Sequence, residues 1–155
     1  MYYVYPSPIG DLFIGVKDEK LVSLSTVRPL DFIKKCPYKP VIGKICKFLD
    51  DYFSGLNPKI DFEFIIEGSE FKRRVYKELV KVPYGESITY KQLAERVFTG
   101  KPCAQAVGGA VGKNPVLIII PCHRVLGSDG SLTGFSAGIE IKKYLLDLEI
   151  GRAHV

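Results

Sequence analysis

Cys122 and His123 stand side by side in Ile119-Ile120-Pro121-Cys122-His123-Arg124-Val125, the segment of this chain best suited to nucleophilic chemistry. A cysteine reacts as its thiolate, and a free thiol titrates near ~8.5, so a base or a positive charge must stand close to it. His123 and Arg124 both qualify by sequence. Neighbours on extended chain point to opposite sides, so His123 reaches the thiol only if the backbone turns there or a water bridges the gap. A Cys-His pair taken alone is more often packing than chemistry. A cysteine hydrolase draws its histidine from far along the chain, and the one other histidine, His154, lies one residue from the end. That chemistry is therefore disfavoured. Cys36, Cys46 and Cys103 form no CxxC pairs, and no zinc-ligand spacing is present, so no metal and no disulfide framework are expected.

A second unusual stretch lies upstream. Ala104-Gln105-Ala106-Val107-Gly108-Gly109-Ala110-Val111 has helical character and almost no long side chains. A major-groove reader presents Arg, Asn or Gln to base edges, and this stretch offers Gln105 alone. Small residues let a backbone approach something closely, as a minor groove about 6 Å wide would demand. Close packing against another helix inside a core is the competing explanation.

The elements around these residues follow from periodicity. Thr89 caps a short helix, Tyr90–Val97; a turn at 99–102 leads to a second helix from Cys103 to about Val111, and together they form a helix-turn-helix candidate. Asn114-Pro115 breaks the chain. Val116–Ile120 is a continuous apolar run that reads as a buried strand ending at Cys122. In the first half, Tyr2–Tyr5 is a strand stopped by Pro6, and Leu12–Val16 with Leu21–Val27 form a hairpin. Pro40 opens a helix with Val41, Ile45, Phe48, Leu49 and Tyr52 on one face, and Ile60–Ile66 reads as a further strand. Ser69 caps a helix with Phe71, Val75, Leu79 and Val82 along one side. The last helix carries an apolar stripe of Ile141, Tyr144, Leu145 and Leu148, with Glu149 at its edge.

Composition agrees with a single soluble protein of 155 residues with an ordinary core, 46% hydrophobic and 12% aromatic. No apolar run approaches the ~20 residues of a membrane span, and no secretory signal pattern opens the chain, so a cytoplasmic location is expected. Charge is uneven. Residues 1–68 hold 9 basic and 9 acidic residues, whereas 69–155 hold 13 and 8, so the whole excess of +5 lies in the second part. A polyanion partner fits that distribution. The expected fold class is α/β (α+β). A small N-terminal antiparallel sheet with helices, residues 1–68, is followed by a mainly helical, winged-helix-like domain with the helix-turn-helix, residues 69–155.

The reactive segment, preceded by Ala106-Val107-Gly108-Gly109-Ala110 and Asn114-Pro115, resembles the O6-alkylguanine-DNA alkyltransferase family. Pro83-Tyr84-Gly85-Glu86, Thr89-Tyr90-Lys91-Gln92-Leu93-Ala94 and the tail from Ser136 to Glu149 extend the likeness over most of residues 70–149. The resemblance implies a helix-turn-helix that enters the minor groove of double-stranded DNA, with the damaged guanine flipped into a pocket above the thiol. The alkyl group then passes, once and irreversibly, to Cys122. O4-alkylthymine is a second candidate substrate. His123 is similar to the base that takes the thiol proton through a water, and Glu149 to the carboxylate that orients it. Tyr90 resembles the hydroxyl donor to the leaving base, and Asn114 the hinge of the reactive segment. Gln105, Ala106, Gly108, Gly109 and Thr89 fall on the DNA-binding part. Val125 and Cys122 would offer carbonyls to the guanine amino group, with Phe135 and Ser136 lining the pocket. Arg124 is grouped with this segment, its own role expected to be structural. No cofactor is implied, and a monomer is expected, with cooperative assembly on DNA left open.

Three positions depart from the family pattern. Gln105 stands where an arginine usually fills the gap left by the flipped base, Phe135 replaces a tyrosine, and Leu117 replaces a proline common near the pocket. Two other readings stay open at this point: a non-catalytic binder of alkylated guanine, and a small helix-turn-helix regulator.

Overall fold

The computed structural model describes residues 2–32, 40–132, 135 and 137–151. Three antiparallel strands open the chain in the order β1-β2-β3: Tyr2–Ser7, Gly10–Lys17 and Lys20–Ser25. Asp18 and Glu19 both take positive φ (52° and 61°), the geometry of the tight turn whose twist matches two flanking strands. β1 runs on through Pro6, which pairs with Asp11. Proline is tolerated there because β1 is an edge strand and its missing N–H breaks no ladder. The helix α1, Pro40–Phe53, follows; Ile42, Ile45, Phe48, Leu49 and Tyr52 are its buried face.

Residues 60–66 do not form the expected strand. They touch β3 at one bridge, Leu21 with Phe64, through Leu21 N–H to the Glu63 carbonyl and Ile65 N–H to the Leu21 carbonyl, both 2.9 Å. Pairing goes no further because the next backbone groups of β3 are already taken. Leu24 donates to Pro115 O at 2.9 Å and accepts from Leu117 N–H at 2.8 Å.

The helical part is built as the pattern requires. α2 is Glu70–Val80, capped by Ser69, whose hydroxyl accepts from Lys72 N–H at 3.2 Å. α3, Tyr90–Val97, is closed by a reciprocal box: Thr89 Oγ1 accepts from Gln92 N–H at 3.0 Å, and Gln92 Oε1 accepts from Thr89 N–H at 2.9 Å. α4, Ala104–Gly112, completes the helix-turn-helix and packs on α3 and α2. A two-residue strand before α3, β4 (Ile88–Thr89), lies parallel to β5 (Val125–Leu126). α5 is Ile139–Glu149.

One apolar core runs through both parts of the chain; Leu21, Ile45, Leu79, Leu93, Val116 and Leu145 are all fully buried in it. Among the described residues no helix is long and apolar enough to cross a membrane.

Candidate active site

The segment that presents Cys122 is not a strand end. Residues 116–120 are deeply buried, as a strand would be, but the chain coils. Ile120 N–H reaches back to Val116 O at 3.0 Å, and Ile118 takes φ +71°. A β-branched residue in the left-handed region is strained by about 1–3 kcal/mol and persists only where its surroundings hold it. Asn114 supplies that hold. Its Oδ1 accepts from Val116 N–H at 2.9 Å and its Nδ2 donates to Ile120 O at 2.6 Å, so one side chain ties both ends of the coil. Cys122–Arg124 then forms a single 3-10 turn. The backbone therefore does turn at Cys122, the condition under which neighbours can share one site.

Cys122 is 2% exposed and His123 fully buried. Burial pushes the Cys122 thiol up to about 11; the Asn114 side chain and the positive charge of Lys142 pull the other way without cancelling it. The resting sulfur is thus a thiol, and it needs a base at the moment of reaction.

His123 has the hydrogen-bonding pattern that such a base would need. Its Nε2 lies 2.5 Å from Glu149 Oε2. Glu149 is a carboxylate: burial alone would raise it, but the hydrogen bonds from His123 and Arg124 and the Arg124 charge hold it well below the usual range. An ionised carboxylate donates nothing, so Nε2 must carry the hydrogen and Nδ1 the lone pair. Nδ1 is buried and has no hydrogen-bond partner among the described residues. Burial also lowers the His123 pKa, outweighing Glu149, so the ring is neutral at pH 7.

Glu149 is fixed from several directions. Oε1 accepts from Gly85 N–H at 3.0 Å and from Arg124 Nε at 2.8 Å; Oε2 accepts from Arg124 Nη2 at 3.1 Å and from the Tyr52 hydroxyl at 2.6 Å. Arg124 also donates through Nη1 to Val82 O at 2.7 Å and lies over the Tyr84 ring. That places Arg124 inside the site, braced against Glu149, rather than on a nucleic-acid surface.

The β4–β5 pairing, Ile88 with Val125 and Thr89 with Leu126, brings the start of α3 beside the reactive turn. Tyr90 is half-buried there, its phenol held above the usual value by burial and by Cys122. Phe135 is buried near the same core, and Ser136 lies outside the described residues. Leu117 is 4% exposed and pairs with β3, so the position is part of the coil.

Gln105, Ala106 and Gly109 are exposed on α4. Gly108 and Gly109 are not demanded by internal packing. A Cβ at Gly109 would meet nothing within 4 Å, and one at Gly108 would make ordinary contact with Tyr90 at 3.8 Å. Exposed Lys91, Arg96, Lys101 and Lys113 stand on and around the helix-turn-helix.

Two residues of the site escaped the sequence reading. Lys142 is fully buried on α5, its ammonium 5.7 Å from the Tyr90 ring centre. Helical phase gives the signal in retrospect, since Lys142 falls one turn before Leu145 and two before Glu149. Tyr52, read as a core residue of α1, reaches Glu149 from 97 positions away, and no local pattern reveals that.

Fold and site define a class: a small mixed α/β protein with a helix-turn-helix and a buried cysteine–histidine–glutamate cluster. The chain belongs to the 6-O-methylguanine DNA methyltransferase family, whose DNA-binding domain model matches residues 70–151. A methylated-DNA–protein-cysteine methyltransferase of Methanosarcina barkeri is 42% identical over 96% of this chain and 97% of its own length. The enzyme of the same name from Metallosphaera sedula is 42% identical over 96% and 92%. Among solved structures, OGT of Mycobacterium tuberculosis in complex with DNA superposes with TM-score 0.85 at 37% identity, covering 98% of this chain and 94% of that one. The O6-methylguanine-DNA methyltransferase of Pyrococcus kodakaraensis gives TM-score 0.67 at 29% identity over 96% and 99%.

Proposed function

We propose that this protein repairs O6-alkylguanine in DNA by moving the alkyl group onto Cys122, one group per molecule. The observation that carries the reading is the buried thiol beside a neutral histidine whose Nε2 is bound to Glu149 and whose Nδ1 is left to accept a proton. The thiol proton goes to Nδ1 through a water as sulfur attacks the alkyl carbon. The carbon–O6 bond breaks, its electron pair stays with the guanine, and Tyr90 neutralises that charge by donating a hydrogen bond. The guanine takes up one proton, His123 later loses one, and a thioether remains. No hydrolytic step restores the thiol.

Reaching a base inside the duplex requires flipping, which costs a few kcal/mol. The outward glycine face of α4 supports insertion into the minor groove, with Gln105 in the gap of the flipped base and the basic rim on phosphates. Val125 and Ser136 would line the guanine site together with Phe135. Residues 69–155 would form the DNA-binding and transferring unit and 1–68 a supporting one, the protein acting as a cytoplasmic monomer. Mass spectrometry after incubation with an O6-methylguanine duplex tests the reading. One methyl on Cys122 per molecule, and none on the Cys122→Ala variant, is expected. Repeated turnover, or no adduct, would sink it.

A further inference from the structure

Tyr52 belongs to α1, yet its hydroxyl lies in the carboxylate cluster: 2.6 Å from Glu149 Oε2, to which it donates, and 3.4 Å from His123 Nε2. The ring is 1% exposed and held by neighbours on several sides. Phe48 stacks on it at 6.3 Å, and Phe53 and Tyr84 meet it edge-on at 5.4 and 6.2 Å. The hydroxyl therefore has one fixed direction.

A structural purpose does not explain it. Glu149 Oε2 already has His123 and Arg124 as partners, and a phenylalanine would fill the same aromatic box. What the hydroxyl adds is a third donor on the one oxygen that holds the histidine. We propose that Tyr52 is a positioning residue of the alkyl-transfer centre, contributed by the first part of the chain. By donating to Glu149 Oε2 it fixes the carboxylate against His123 Nε2 and moderates the pull of that carboxylate on the ring. The inference rests on the alkyl-transfer reading above and deepens it: residues 1–68 would set the base as well as support the fold.

The sign of the effect follows from competition. Donors on one carboxylate share its negative charge. Removing the Tyr52 hydroxyl leaves more of that charge to His123, which stabilises the protonated ring. The groups facing His123 are Glu149 and Lys142 from α5, Arg124 and Cys122 from its own turn, and Tyr52 from α1, with Tyr84 behind Glu149 and Arg124. Tyr52→Phe removes no charge from this set, so the shift reports the hydroxyl alone.

The test is the single-turnover rate of methyl transfer from an O6-methylguanine duplex against pH, for the full-length wild type, Tyr52→Phe and Ile45→Val. Ile45 is a fully buried α1 residue without a polar group, and its variant measures the cost of loosening the helix. Expected for Tyr52→Phe are a rate about three- to tenfold lower and an acid limb moved up by about half a pH unit. Ile45→Val should lower the melting temperature and leave the limb in place. An unmoved limb in Tyr52→Phe, or the same displacement in both variants, overturns the role of Tyr52 while normal wild-type methylation leaves the alkyl-transfer reading standing. A wild type that takes up no methyl overturns that reading, and the role of Tyr52 with it.

Discussion

Burial and hydrogen bonding together decide the protonation states around Cys122. The thiol is pushed up and His123 down, both towards the neutral form, while Glu149 stays charged because five donors meet its two oxygens. The rate of alkyl transfer should therefore lose activity only below about pH 6.5, where a histidine with a lowered pKa begins to take a proton. It should stay flat through pH 7–9, because the thiol is still protonated there; a stopped-flow pH profile checks both. Lys142 is a further charge in the site, and its field favours the thiolate that forms as the proton leaves. Lys142→Met should slow methyl transfer about tenfold when single-turnover rates are compared at a temperature where both proteins stay folded. Cys122 and His123 are legible in sequence because they are adjacent. Lys142 is not, since a lysine in a charged helix reads as solvated until the packing of that helix is known.

At the scale of elements, the helix-turn-helix and the coil before Cys122 show why sequence reading succeeds in one place and fails in another. α3 came out at its expected limits because its signals are local: a Thr89 cap, a Gln92 three residues on, and apolar residues at helical spacing. The run 116–120 misleads because composition reports burial, whereas the path of the chain is set by Asn114, which ties both ends. Asn114→Ala leaves Val116 N–H and Ile120 O without that partner and releases a strained Ile118. A loss of about 2–4 kcal/mol in urea unfolding, larger than an exposed asparagine gives, is expected. α4 separates stability from binding. Gly109→Ala should stabilise the helix by up to about 1 kcal/mol, since glycine is the poorer helix former and the new methyl meets nothing. Gly109→Leu should keep the fold and weaken duplex DNA binding at least tenfold, because a long side chain would stand between backbone and groove. Equal affinity of Gly109→Leu and wild type, measured by fluorescence anisotropy, would remove the close-approach argument.

For the whole molecule, the carboxylate bound to His123 also joins distant parts of the chain. Glu149 on α5 is bonded to Tyr52 on α1, to the loop at Gly85, and to the reactive turn through His123 and Arg124. Beneath it the core is continuous, and the Leu24 backbone bonds at Pro115 and Leu117 tie β3 to the Asn114 coil. Among the described residues that arrangement offers no weak seam, so thermal unfolding should be one cooperative transition. Acid should lower it in two stages. His123 has a lower pKa folded than unfolded, so the unfolded chain binds the extra proton as pH falls below about 6.5, and stability drops from there. Glu149 is likewise depressed, and its contribution drains away below about pH 4.3. Glu149→Gln removes the second stage but leaves Arg124 buried without its counter-charge, which costs about 3–5 kcal/mol at neutral pH. Calorimetry from pH 7.5 to 2.5 should thus give a melting temperature that falls in both stages for the wild type, and for Glu149→Gln a lower line that keeps the first stage and flattens below about pH 4.3. Lines that stay parallel below about pH 4.3 would mean that Glu149 does not couple protonation to the fold.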